Sequence, residues 1–197
     1  EIRKENLLLR RINIRQVEGE GFQEIPQESF KNFKSNVRET IDKPLLRELF
    51  PLGGKLCDVH WESHDGRTRL PKHLGENHTS EICRGKAGIT FGRQIGAYPI
   101  LIGAEYLIPL ETQSDIIITG HGARSITGVE VNLDHDLISQ KQLQSIPGIG
   151  EKTAWKLISH RVKMKRKNGN ESSYESPEQW FEQSKIDWSS SFKGFFK

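Results

Sequence analysis

The sequence predicts an α+β protein: a small β-barrel followed by a helical hairpin region, preceded by one strand and connecting helices. Three observations lead there. Residues 55–131 hold short β-branched stretches separated by glycines, a pattern of small barrels and sandwiches. From residue 136 onward the apolar residues recur at helical spacing, broken by Pro147-Gly148. Apolar residues make up only 34% of the 197 residues against 28% charged, which suits small units with polar connections better than one large core.

The elements follow in order. In LLLRRINIRQV (7–17), Leu9, Ile12, Ile14 and Val17 alternate with polar residues, the signature of a strand. Gly19, Gly21 and Pro26 mark a loop. Ser29 is the expected cap of a helix in which Phe30, Phe33, Val37 and Ile41 recur at helical spacing. Pro44 then starts a second helix, PLLRELF, which stops at Pro51 and Gly53-Gly54. Six strand-like segments come next: KLCDVHWE (55–62), GITFGRQIG (88–96), YPILIGA (98–104), EYLIPL (105–110), SDIIITGHG (114–122) and ARSITGVEV (123–131). A polar insertion at 63–87 separates the first two. Closing such a small sheet into a barrel removes its exposed edges. DLISQKQLQSI reads as a helix. EKTAWKLISHRV (151–162) reads as another, with Ala154, Leu157, Ile158 and Val162 on one face. KRKNGNESSYES (165–176) reads as a linker, and Ser176-Pro177-Glu178 as the cap of a last helix. The aromatic tail WSSSFKGFFK is expected to fray or to dock. The expected division is 1–54, 55–131 and 132–197.

Composition removes several function classes. No stretch of 18 apolar residues exists, so no membrane-spanning helix is expected. The three leucines near the start are too few for a signal peptide, and a reduced cytoplasmic setting is the default. Cys57 and Cys83 are the only two cysteines, too few for a four-cysteine zinc or iron–sulfur site. His60, His64, His73 and His78 lie near them, but no paired ligand spacing frames a metal, so none is assigned. The chain begins at Glu1 rather than Met, which suggests a fragment.

The net charge of +3 is unevenly spread. Residues 151–167 hold seven Lys or Arg and one acid, Glu151, whereas 55–131 carries a net −1. A cationic block beside a glycine turn favours a polyanionic partner. The turn lies in LQSIPGIGEKTAWKLI (143–158). Gly148 and Gly150 permit backbone conformations closed to side chains. Ile149 can tuck between the helices, and amides at the next helix N-terminus can bind phosphate oxygens. This stretch resembles the helix–hairpin–helix family, which grips nucleic-acid backbones without reading sequence. Leu143, Ile146, Pro147, Gly148, Ile149, Gly150, Ala154 and Leu157 occupy the family's pattern positions. The expected phosphate-binding residues are Gly148, Ile149, Gly150, Lys152 and Thr153, with Lys156 and Arg161 as nearby charge.

FGRQIGAYPILIG (91–103) and SDIIITGHGARSITGVEV (114–131) resemble a TRAM-like or OB-like barrel, the RNA-associated appendage of many radical-SAM tRNA-modifying enzymes. That resemblance implies contacts to phosphates or bases by Arg93, Tyr98, His121 and Arg124. The order of RRINIRQV (10–17), the barrel and IPGIGEKTA (146–154) resembles the C-terminal part of a radical-SAM iron–sulfur oxidoreductase family with a helix–hairpin–helix motif. The strand and helices of 1–54 would then be left over from an upstream barrel. The resemblance implies a 4Fe-4S cluster and S-adenosylmethionine in a parent protein. It also implies an upstream catalytic domain as one partner, and RNA or DNA as another. This chain lacks the CxxxCxxC motif such catalysis needs, so it carries no catalytic residue or cofactor of its own. A free-standing nucleic-acid-binding module, and a structural tail capping the catalytic domain, are the alternatives.

Overall fold

The computed structural model describes residues 14–15, 25–66, 78–95, 100–167 and 174–197. The strand expected at 7–17 lies outside the described residues except for Ile14 and Arg15, which have no regular secondary structure. Residues 67–77 of the insertion, with His73, and residues 96–99, with Tyr98, also lie outside them.

The architecture is α+β, built on a closed five-stranded barrel. Its strands are β1 (Lys55–His64), β2 (Ala87–Gln94), β3 (Leu101–Tyr106), β4 (Gln113–His121) and β5 (Ser125–Glu130). They close in the order β1-β2-β3-β5-β4, with β1 pairing back to β4. All pairs are antiparallel except β3 with β5. Period-two alternation sends Val59, Trp61, Ile102, Ala104, Tyr106, Ile116, Ile118 and Ile126 inward, and all are buried. Gly92 is required by that core: a Cβ there would lie 2.5 Å from the His60 carbonyl oxygen and 2.8 Å from the Trp61 ring. Buried Thr90 is satisfied on both sides, donating to the Tyr106 carbonyl at 3.0 Å and accepting from the Ile108 amide at 2.9 Å.

Two sequence expectations in this region are corrected. YPILIGA and EYLIPL contribute one strand, not two, because nothing between Ala104 and Glu105 breaks the chain and 107–110 leaves the sheet. The first strand runs on to His64, two residues into the expected insertion, by way of a bulge between Trp61 and Ser63.

The N-terminal helices are also joined where the sequence suggested a break. α1 (Gln27–Val37) passes through a π-helical turn, Arg38–Asp42, directly into α2 (Lys43–Leu49). Pro26 rather than Ser29 sits at the N-cap. Pro44 lacks an amide and crowds the carbonyl four residues back, at Thr40. That carbonyl lies within the π-helical turn, where the ladder is already loosened. Phe50, just beyond α2, holds the rod to the barrel through its carbonyl, 2.6 Å from His121 Nε2.

After the barrel in the chain come α3 (Gln140–Ser145), α4 (Glu151–Lys167) and α5 (Pro177–Gln183). α3 starts four residues later than the periodicity suggests, because Ser139 forms a capping box with Gln142. Ser139 Oγ accepts from the Gln142 amide at 3.1 Å, and the Ser139 amide donates to Gln142 Oε1 at 2.9 Å. α4 extends to Lys167, taking up the first residues of the expected linker. Ser176 caps α5 as expected, accepting from the Gln179 amide.

The aromatic tail docks. Phe181, Trp188, Phe192 and Phe196 form a cluster with ring centroids 5.0–6.0 Å apart. One continuous apolar cluster runs from Val59 and Trp61 in the barrel through Leu143, Ile149 and Leu157 to Phe196. The units expected from sequence thus share a core. Among the described residues no helix is long and apolar enough to cross a membrane.

Candidate nucleic-acid interface

The α3–turn–α4 unit places most of its predicted residues as the sequence implies. Leu143, Ile146, Ile149, Ala154 and Leu157 are all buried, so the turn is pinned from inside. Ile149 caps the packing between the helices, and its amide donates to the Ile146 carbonyl at 3.0 Å. Gly148 has φ +91°, a left-handed conformation that favours glycine, and a Cβ there would also touch the Phe192 ring at 3.4 Å. Gly150 differs: its φ lies outside that region, and a Cβ would meet nothing within 4 Å. The fold needs Gly148 for its conformation but does not need Gly150.

The first helical hydrogen bond of α4 runs from the Ala154 amide to the Gly150 carbonyl at 2.9 Å. The amides of Gly150, Glu151, Lys152 and Thr153 therefore precede the ladder and take no backbone acceptor among the described residues. The first of them, at Gly150, belongs to the lining of a groove of about 560 Å³ between the turn and the barrel, whose barrel side is formed by Glu105, Thr119, Gly120 and Thr127. Lys152 is exposed and Thr153 half-buried. Glu151, also exposed, is the acid of the first turn.

The remaining predicted residues separate. Lys156 is exposed but donates to the Lys185 carbonyl at 2.9 Å. Arg161 is corrected from a surface charge to an internal clamp. It is 9% exposed and donates to the carbonyls of His135 at 2.7 Å and Ile138 at 2.8 Å, with its guanidinium 5.4 Å from the Trp180 ring. Burial pulls its pKa down from the usual arginine value, opposed by Asp136, Tyr174 and Asp134. Val162, expected on the buried face, is 42% exposed, and Arg161 takes the inward place beside Leu157. Arg93 lies on β2 and pairs with Glu62 at 3.2 Å, far in chain terms from the turn. Arg124 is exposed in the β4–β5 connection. Trp155, which the sequence reading passed over, stands exposed on α4. Its position one residue past buried Ala154 sets it off the inward stripe, and helical phase alone was signal enough.

The thiols and imidazoles assemble no cluster of three metal ligands among the described residues. Cys57 is exposed and Cys83 buried, and burial pushes the Cys83 thiol up. The rings of His64 and His78 meet edge-on at 5.5 Å, and His64 Nε2 lies 2.9 Å from the Ile108 carbonyl oxygen.

No protein-family model and no solved structure matches the chain. It is similar to an uncharacterized protein of Archaeoglobus fulgidus, 31% identical over 186 residues, covering 89% of this chain and 30% of that protein. It is also similar to an uncharacterized protein of Methanocaldococcus jannaschii, 30% identical over 139 residues, covering 65% of this chain and 22% of that protein. The chain thus spans less than a third of the curated relatives it matches.

Proposed function

We propose that this chain is a nucleic-acid-binding region of a larger protein, in which the α3–turn–α4 unit is a helix–hairpin–helix that grips a phosphodiester backbone. The observation that carries it is the α4 N-terminus. Four amides with no backbone acceptor among the described residues start at Gly150, which lines a groove and is a glycine that the backbone conformation and the packing do not call for. Space at that Cβ lets a phosphate approach the amides closely, and the helix dipole favours its charge. Lys152 supplies a cation alongside. The closed barrel with its single parallel pair supports an OB-like or TRAM-like reading, in which strand faces meet bases or phosphates.

The larger protein is, on this proposal, a radical-SAM iron–sulfur oxidoreductase whose cluster and S-adenosylmethionine sit outside this chain. Two thiols, one buried, are fewer than its cysteine motif requires, so no chemical step is assigned to these residues. A docking role for the N-terminal rod is supported by its uncovered apolar residues. α1 buries none of its residues, and Phe33, Ile41 and Leu49 are exposed. Such a stripe suits the missing catalytic domain as partner.

The test is anisotropy titration of labelled RNA and DNA against salt. Wild-type affinity should fall with salt, and Lys152→Gln should weaken binding and reduce the slope of log K against log salt by about 1. Salt-independent binding, or a variant with wild-type slope, removes the hairpin from the interface.

A further inference from the structure

We propose that Trp155 is a stacking platform for an unpaired nucleobase, so that the partner at the α4 N-terminus is a single-stranded segment. The inference rests on the hairpin reading above and names its substrate class. Trp155 is 63% exposed, whereas Trp61 and Trp180 are fully buried. Those two also satisfy their indole N–H groups, on Ser114 Oγ at 2.8 Å and the Leu157 carbonyl at 3.1 Å. Among the described residues the Trp155 indole has neither a hydrogen-bond acceptor nor a neighbouring ring. An exposed indole offers a flat aromatic face and a polar N–H together, the combination that enriches tryptophan at interfaces.

Among the described residues nothing covers it. Ala154, Leu157 and Arg161 form the inward stripe of α4, and Trp155 points away from that stripe with Lys152, Val162, Lys163 and Arg166. Side chains on a helix lean toward its N-terminus, so the indole lies over the preceding turn. That turn holds Glu151, Lys152 and the amides that take no backbone acceptor among the described residues. Lys152 and Trp155 are separated by about 4.5 Å of helix rise. A nucleotide whose phosphate meets the amides thus has an aromatic face within its own reach.

Charge selects the occupant. Lys152, Lys163 and Arg166 have no acidic partner among the described residues and outnumber the one acid of that face, Glu151, so the surroundings of the ring are net cationic. A polyanion with accessible π-faces fits both properties. A closed duplex keeps its bases stacked inside and offers nothing to the ring, whereas single strands stack readily on exposed aromatics.

The experiment uses the whole chain and its intrinsic fluorescence, in which Trp155 is the solvent-exposed emitter. Oligo-U and oligo-dT of about 15 nucleotides are titrated beside a blunt duplex and poly-glutamate. The expected result is quenching of the red-shifted emission by the single strands, little quenching by duplex, and none by poly-glutamate. Trp155→Ala should weaken single-strand binding about five- to 150-fold and leave duplex binding unchanged, with Trp155→Phe intermediate. Chemical denaturation of each variant confirms that the fold persists. Single-strand binding without quenching, wild-type affinity of Trp155→Ala, or equal affinity for poly-glutamate each overturns the stacking role. In those cases the hairpin reading stands as long as Lys152→Gln still weakens binding. Failure of both polymers to bind overturns both.

Discussion

Arg161→Ala separates architecture from recognition. In sequence Arg161 belongs to the cationic block, yet its guanidinium holds two buried carbonyls, those of His135 and Ile138, at 2.7 and 2.8 Å. Each bond carries a full charge, and such bonds contribute about 1.5–3 kcal/mol apiece. Truncation leaves both carbonyls without a donor and opens space beside Trp180. Together these give a loss of about 3–5 kcal/mol. For a chain of this size the cost corresponds to a fall in melting temperature of about 10 °C and in urea midpoint of about 1–3 M. The assay is paired: urea denaturation followed by far-UV circular dichroism, and nucleic-acid binding at a temperature where the variant stays folded. Folded Arg161→Ala should bind close to wild type. A variant with an unchanged midpoint and a large loss of affinity would falsify the assignment and return Arg161 to the interface.

Other expectations are of the same kind. Gly148→Ala should destabilise by about 1–2 kcal/mol through its left-handed backbone. Gly150→Ala should move the denaturation midpoint little and weaken nucleic-acid binding about tenfold or more; equal effects of the two on stability would remove the distinction drawn between them. Glu151→Gln takes away the acid of the first α4 turn and should tighten binding of either polymer at low salt; unchanged affinity would place the phosphate elsewhere. Burial lowers the pKa of His64, helped by His78, and that of His160, helped by Lys163. The unfolded chain therefore takes up protons first as pH falls below about 6.5. Stability should be fully present above that pH and decline below it, and a His64→Gln/His160→Gln variant should show a shallower decline in urea midpoint between pH 7.5 and 5.5; an identical slope refutes the linkage.

Much of the fold was legible because local patterns and tertiary packing agree. Short β-branched stretches between glycines located β1, β4 and β5, and the Ser176-Pro177 start of α5 and the 146–150 turn came from residue chemistry alone. Other features depended on contacts distant in sequence. No local signal joins YPILIGA to EYLIPL, because that strand is defined by its pairing with β2 and β5. The π-helical turn before Pro44 is invisible to a pattern with a period of 3.6 residues. Arg161 sits inside although the sequence groups it with the cationic block, because its partners are carbonyls more than twenty residues away. Trp155 lies off the face that Ala154 and Leu157 define, so its phase on α4 already sets it outside. At Gly150 the sequence showed only a glycine, and its open surroundings emerged with the packing of the turn.

The apolar cluster that runs unbroken from Trp61 to Phe196 also bears on how a flexible strand would be held. With Gly148 facing the Phe192 ring, and Phe192 packed on Phe181, the amides of the turn are fixed relative to the barrel before any partner arrives. The ordering entropy of association then falls on the partner's side, because the receiving surface has little left to organise. Substitutions deep in the aromatic tail, remote from any phosphate, should consequently raise the entropic cost of binding. Calorimetry would register them as a less favourable entropy change with the same contacts still made.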